Sequence, residues 1–357
     1  ISSKRPESQL LRPLGGPQPG LILGSLVTGA LVALLFYCWG YQIRYDIGVT
    51  GLSRPNFWGF YITNFVFWIG ISHAGTLISA ILRVTGAEWR RPVTRCAEAI
   101  TVFALCVGGL LPLIHLGRPW LFYYMVPIPS QGLLWPNFNS PLVWDILAII
   151  TYLTGSVLYL ALPLLPDFAI LRDRSLRSNP SGFRARLYSL LAAGWRGTPQ
   201  QWHSLEQGIR VMAIIIIPVA VSVHTIVSWD FAMTLQPMWH SAIFGPYFVV
   251  GAIYSGIAML LVTMYILRRG LGLHQYLSDA VFNNLSLLFV AMALIWAYFT
   301  FAEHLTVFYA NQHAEMAVYN ERISGQFAPY FWAMIALNVG VPVFVLALRA
   351  GRKPLAS

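Results

Sequence analysis

Of 357 residues, 57% are hydrophobic and only 10% charged, against roughly 25% charged in ordinary globular chains, and the mean hydropathy is +0.62. So few charges cannot cover the water-facing surface of a protein this size, which excludes a soluble two-domain enzyme and makes lipid the solvent for most of the chain. The net charge of +10 does not point to nucleic acid, because the basic residues stand between apolar segments, where they orient helices in a membrane.

In chain order, residues 1–19 carry Lys4, Arg5 and Arg12 among several Pro and Gly, without the apolar core of a signal peptide. They predict a cytoplasmic N-terminal segment, and a first residue of Ile1 rather than Met leads us to expect further sequence upstream. Eight apolar segments follow, near 20–43, 56–84, 94–115, 141–166, 204–229, 241–267, 281–306 and 328–348. Each is long enough to cross a hydrocarbon layer of about 30 Å, and only a helix satisfies its own backbone there. The predicted fold class is therefore an all-α polytopic membrane protein. It divides into a peripheral helix with its outer loop (20–55), a four-helix bundle of spans two to five (56–230) and a second bundle of spans six to eight (231–357).

Sidedness follows from the basic residues. Eighteen of the 23 Lys and Arg lie at the two ends or around the 2–3, 4–5 and 6–7 connections, and four lie around the others. The positive-inside rule then places both termini in the cytoplasm. The 4–5 connection (167–203) holds Arg172, Arg174, Arg177, Arg184 and Arg186 among Leu, Phe and Tyr, and predicts a short amphipathic piece on the inner surface. The outer 3–4 connection (116–140) is nearly uncharged and rich in aromatics, among them Trp120, Tyr123, Trp135 and Phe138, which predicts cover by a partner protein. An internal repeat is also visible. Trp58-Gly59-Phe60-Tyr61 opens the second span, and Phe244-Gly245-Pro246-Tyr247 opens the sixth, 186 residues later. The same offset carries the third span onto the seventh and the fourth onto the eighth, so a parallel repeat is expected whose second copy is incomplete within these residues.

An ionised side chain at the centre of a span costs roughly 2.5–3.5 kcal/mol on insertion scales, so each one needs a reason. His115 ends the third span, Asp145 lies one turn into the fourth, and Asp230 ends the fifth, all on the outer side. Asp145 sits near the positive end of its helix, which Ser140 and Pro141 open as cap and first position, and Asp230 sits at the negative end of its own. One carboxylate is thus favoured as the anion and the other as the proton acceptor, with an imidazole beside them, a set suited to proton-coupled chemistry. His73 lies near mid-membrane, His224 about a turn and a half inward of Asp230, and Glu98 near the inner end of the third span, where it could simply pair with Arg95. Glu303 and His304 end the seventh span on the outer side. The three cysteines, Cys38, Cys96 and Cys106, form no CxxC or other metal-binding spacing, so no metal site and no haem or iron–sulfur centre of the chain's own is expected.

Ile114-His115-Leu116-Gly117-Arg118-Pro119 resembles the HLGRP signature of polysulfide-reductase-type (NrfD) membrane subunits. Ser72-His73-Ala74-Gly75-Thr76 and Val223-His224-Thr225-Ile226-Val227-Ser228-Trp229-Asp230 are similar, more specifically, to the C subunit of bacterial alternative complex III. The resemblance runs from the first span to the eighth. It implies two four-helix bundles, a quinol site at the outer end of the first, and an iron–sulfur partner protein above it on the periplasmic face. It also implies c-type cytochrome subunits, a homologous second membrane subunit, and a place in the bacterial inner membrane. On that pattern His115 and Asp145 contact the quinone head group, with Asp230 and Arg118 close by; Arg118 either fixes the loop or pairs with Asp145. His73, His224 and Glu98 fall on a proton route, which Glu303 and His304 extend into the second bundle. The implied activity is quinol oxidation, with menaquinol as the expected substrate and possible coupling to proton translocation. The complex III subunit has ten helices against eight here, so two further helices are expected beyond the given sequence. Two rival readings stay open: a b-type cytochrome with His73 and His224 as haem ligands, and a proton-coupled secondary transporter.

Overall fold

A computed structural model describes residues 19–52, 59–125, 141–348 and residue 352. The N-terminal residues 1–18, the stretch 53–58 that includes Trp58, and the part of the outer connection at 126–140, with the expected helix cap Ser140, lie outside the described residues.

The described chain is helical, with no strand among the described residues. Its helices are α1 (Pro19–Tyr45), α2 (Phe60–Val84), α3 (Arg91–His115), α4 (Pro141–Ser178), α5 (Phe183–Leu191), α6 (Pro199–Ala232), α7 (Phe244–Leu271), α8 (Asp279–Ala310), α9 (His313–Ile323) and α10 (Ala328–Ile335). The last continues in wider π-helical turns over Ala336–Gly340 and Pro342–Leu346. Among the described residues, eight helical segments are long and apolar enough to span a membrane: α1, α2, α3, α4, α6, α7, α8 and α10 with its extension. The chain is a multi-pass membrane protein, as its composition required.

Two elements differ from the sequence reading. The fourth span was expected near 141–166, yet α4 continues past Pro163 and Pro166 to Ser178. Each proline removes one internal hydrogen bond, and the continuation is held from outside: Arg95 pairs with Asp167 at 3.0 Å, and Arg172 donates to the Trp195 carbonyl at 2.9 Å. The amphipathic piece of that connection is the shorter α5, with Phe183 and Leu190 exposed. The other addition is α9, a short helix within the connection between the seventh and eighth spans.

Packing is organised around α2. It touches α3, α6 and α7 and is almost wholly enclosed, whereas α1 lies at the periphery with its apolar side chains exposed. Small residues let the neighbours close in: a Cβ on Gly75 would collide with the Ala97 carbonyl and Thr101 Oγ1 on α3, and one on Gly256 of α7 would collide with Ala74. One apolar core runs through α2, α4 and α6 by way of Ile69, Tyr152 and Ile216; a second joins α2 and α3 to α7 and α8 by way of Ile78, Ile257 and Phe282. At the end of α3 the chain turns at Gly117, whose φ of 67° is a left-handed conformation that glycine adopts without strain. That turn fixes where His115 ends and the outer connection begins.

Candidate functional site

Helix direction alternates, so the C-terminal ends of α3 and α6 and the N-terminal ends of α2 and α4 share one side of the bundle. Asp145, one turn into α4, and Asp230, in the last turn of α6, meet there, close enough for their carboxyl groups to interact directly. Both side chains are buried, at 7% and 8% exposure, and the Oδ1 atom of each is enclosed without a protein partner. Each acid follows or precedes a tryptophan, and those two, Trp144 and Trp229, meet edge to face at 6.1 Å.

His115 is half-buried at the end of α3, its Nδ1 enclosed and without a protein hydrogen bond. The Tyr61 ring from α2 stands edge-on to it at 6.2 Å. Tyr61 donates to Gln42 Oε1 at 2.6 Å, and the amide of Gln42 donates to the carbonyl of Ile114 at 2.8 Å. Gln42 is thus a buried amide on an otherwise exposed helix, anchoring α1 to the residue that precedes His115. Sequence reasoning passed over both Tyr61 and Gln42, although a Gln inside a span is itself a signal. Arg118 is exposed, and among the described residues it has no carboxylate partner.

Deeper in the bundle the structure brings His73 and His224 together, ring centroids 4.9 Å apart. His73 Nδ1 meets the Ile69 carbonyl at 2.7 Å, and His224 Nε2 meets the Phe248 carbonyl at 2.9 Å. The remaining nitrogens, His73 Nε2 and His224 Nδ1, are buried without partners. Tyr152 stacks on His73 at 4.0 Å and donates to both Thr76 Oγ1 and the Ser72 carbonyl at 2.9 Å. Thr76 donates to Thr101 Oγ1 at 3.2 Å. Towards the opposite end, Ser79 donates to Glu98 Oε1 at 2.8 Å and lies 3.3 Å from the Tyr159 hydroxyl. A simple pairing of Glu98 with Arg95 gives way to this contact, since the Arg95 guanidinium binds Asp167 and the Pro163 carbonyl.

The histidines and Glu98 are therefore stations on a column of polar groups that the sequence reading only partly named. Ser72, Thr76 and Ser79 lie at helical spacing on one face of α2, and Tyr152 and Tyr159 are two turns apart on one face of α4. That spacing was the available signal.

Glu303 and His304 stand apart from this column. Glu303 is buried at the end of α8 and accepts from Ser241 at 2.6 Å. His304 Nδ1 meets the Thr300 carbonyl at 2.7 Å, and its Nε2 is enclosed without a partner. Both line a cavity of about 870 Å³ between α7, α8, α9 and α10.

Geometry speaks against His73 and His224 as ligands of one haem. Such ligands face each other across an iron with a macrocycle between them, whereas these rings sit 4.9 Å apart, tilted by 50° and packed against Tyr152 and Phe248. Among the described residues no three His, Cys, Asp or Glu side chains cluster as a metal site would need.

A family model described as polysulphide reductase, NrfD, matches residues 48–354. The chain is 27% identical over 338 residues to a protein of Halobacterium salinarum provisionally named as the C membrane subunit of a dimethyl sulfoxide reductase, covering 93% of this chain and 71% of that one. It is 24% identical over 316 residues to the C subunit of the selenate reductase of Mesobacillus selenatarsenatis, covering 86% and 70%. It is 22% identical over 325 residues to the Hdr-like menaquinol oxidoreductase integral membrane subunit of Archaeoglobus fulgidus, covering 90% and 69%.

Proposed function

Because this chain belongs to the NrfD polysulphide reductase family, we propose that it is the quinol-binding and quinol-oxidising membrane subunit of an electron-transfer complex. The observation that carries the reading is the buried Asp145–Asp230 carboxyl pair, set at helix ends on the same side of the bundle as His115. Quinol oxidation releases two electrons and two protons. Two adjoining carboxyls, each with an enclosed oxygen not engaged by the protein, can take up protons, and His115 offers an imidazole nitrogen to a quinol hydroxyl. In this reading His115 and Asp145 hold the two hydroxyls, Asp230 receives protons through Asp145, and the electrons pass to an iron–sulfur protein seated over that end. The surrounding tryptophans keep bulk water from the head group.

The protons leave in one of two ways, directly to the nearby surface or down the column of Tyr152, the histidine pair and the α2 hydroxyls to Glu98. The second route carries the proposal of proton translocation. The likeness of the His73 and His224 segments to the C subunit of alternative complex III supports it, and on the same likeness we propose c-type cytochrome subunits and a homologous second membrane subunit as partners. Menaquinol is the substrate we favour, on the name of the Archaeoglobus relative. The outer side for the quinol site rests on the distribution of Lys and Arg, and placement in a bacterial inner membrane on the resemblance to the alternative complex III subunit.

The test is His115→Ala in the assembled complex. It is expected to abolish quinol-dependent reduction of the partner's clusters while assembly persists, and full activity in that variant refutes the assignment.

A further inference from the structure

A cavity opens in the other half of the molecule from the carboxyl pair, between α7, α8, α9 and α10. At about 870 Å³ it falls in the size range of small-molecule sites, which runs from roughly 300 to 1,000 Å³. Its walls are largely aromatic, with Trp239, Phe244, Tyr247 and Phe331 among them. Polar groups enter at one end: the Glu303 carboxylate held by Ser241, the Tyr247 hydroxyl 2.8 Å from Thr300 Oγ1, the enclosed and unpartnered Nε2 of His304, and Arg322. Thr300, His304 and Phe331 also form one wall of a second, more apolar groove of about 460 Å³, where Phe301, Leu305 and Phe308 turn outward. A polar-ended aromatic chamber beside a greasy groove is the shape an amphiphile with a ring head and a hydrocarbon tail requires.

Position in the fold supplies the second argument. Shifted by 186 residues, the starts of α2, α3 and α4 fall within two residues of the starts of α7, α8 and α10. Tyr61, at the start of α2 beside His115, maps onto Tyr247, at the start of α7 near the end of α8 where His304 sits. The cavity therefore adjoins, in the second half, the counterpart of the Tyr61 end of the first-half site, although the position of His115 itself maps onto Phe301, in the wall of the neighbouring groove, with His304 one turn further along. The correspondence also marks a difference: the position of Asp145 maps onto Phe331. The second half offers a ring where the first offers an acid, so it does not reproduce the carboxyl pair.

We propose that the cavity between α7, α8, α9 and α10 is a second binding site for a quinone-type amphiphile, one that holds the molecule without oxidising it. The choice of a quinone among ring-headed amphiphiles rests on the proposed function above. Charge argues against a phospholipid head group: Glu303 and Glu321 accompany Arg322 and His304 in the lining, so no cationic excess awaits a phosphate.

The test uses the complex purified in detergent with its partners, irradiated in the presence of an azido-naphthoquinone bearing a short prenyl tail, with labelled peptides mapped by mass spectrometry. Two labelled regions are expected, one at the α3 and α4 ends and one across α7, α8 and α10. In Glu303→Gln and in His304→Leu the second label is expected to fall about tenfold, with the first retained as evidence that the chain still folds. Label at the α3 and α4 ends alone, in the natural chain, overturns the second site and leaves the quinol reading standing. Label across α7, α8 and α10 alone supports the second site and counts against the first; label at neither overturns both. Unlabelled prenyl-naphthoquinone in excess is expected to displace the second label. Equal displacement by phosphatidylglycerol overturns the quinone class in favour of a lipid.

Discussion

The two halves of this membrane protein begin on the same plan and finish differently. In each, a helix opens with a glycine and a tyrosine, Gly59 with Tyr61 and Gly245 with Tyr247, and the next helix carries a histidine towards the same side, His115 at the end of α3 or His304 nearly two turns before the end of α8. In the first half α4 and α6 close over this arrangement, place two acids against each other and fill the interior with hydrogen-bonded side chains. In the second half α7, α8, α9 and α10 border a cavity whose two acids, Glu303 held by Ser241 and Glu321, come with Arg322 and no carboxyl pair across two long helices. What separates a reactive site from a receptive one, on this comparison, is the paired carboxyl and not the histidine.

The largest effect should come from breaking that pair. Asp230→Asn keeps the size of the side chain and a hydrogen bond to Asp145 while removing one acid. A lost general base typically costs about 10²–10⁴ in rate, and we expect a fall in that range in quinol-dependent reduction of the partner's clusters, measured by stopped-flow absorbance. A fall of less than about tenfold would make the first half no more reactive than a single-acid site and would erase the distinction between halves. Next in size are the helix contacts that hold the halves to α2. Gly75→Ala and Gly256→Ala each drive a methyl group into a neighbouring helix, and overpacking of this kind costs about 1–3 kcal/mol. Both should lower the midpoint of thermal unfolding of the purified complex, and an unchanged midpoint for Gly256→Ala would mean that α7 slides freely on α2.

How much of this was legible in the sequence depends on the kind of signal. The eight spans were, because a bilayer demands about twenty apolar residues and the sequence supplies that length eight times over. The C-terminal end of α4 was not, because the apolar run stops near 166, whereas the Arg95–Asp167 and Arg172–Trp195 contacts that continue the helix past Pro163 and Pro166 involve residues distant in sequence. Asp145, Asp230, His73 and His224 announced themselves by cost, being ionisable groups in lipid. That the acids touch each other, and that the histidines lie ring to ring, depends on how α2, α4 and α6 rotate about their axes. Tyr152, Ser72, Thr76 and Ser79 escaped notice because hydroxyls are cheap in a helix and common in spans; only their shared faces give them away. Gln42 and the cavity around Glu303 depend on contacts between helices, which no single segment shows.

A smaller effect distinguishes the column from the site above it. Glu98→Gln leaves the hydroxyl of Ser79 an acceptor and the packing intact, yet it removes the last acid on the route. Electron transfer measured with uncoupled vesicles should stay within about twofold, while proton release on the Glu98 side, followed with a pH-sensitive dye, should drop several times more. Equal losses in both would show that the column serves structure alone, and the first half would then differ from the second only at its carboxyl end.

The smallest effect concerns Tyr61, the residue the two halves share with Tyr247. Its hydroxyl ties Gln42, and through it the carbonyl of Ile114, while its ring edge faces His115. Tyr61→Phe keeps the edge and deletes the hydroxyl, leaving the buried Gln42 Oε1 without its donor. A lost hydrogen bond of this kind is worth about 1 kcal/mol, or a factor of about five in an equilibrium. If the hydroxyl positions His115 through α1, that factor should appear as a rise in KM for quinol with little change in kcat, and Tyr61→Leu, which also removes the ring edge, should lower kcat as well. Should Tyr61→Phe instead match the natural chain in both constants while Tyr61→Leu does not, the ring alone sets the imidazole. The Gln42 link would then belong to the attachment of α1, and the shared tyrosine would serve both halves as an aromatic wall.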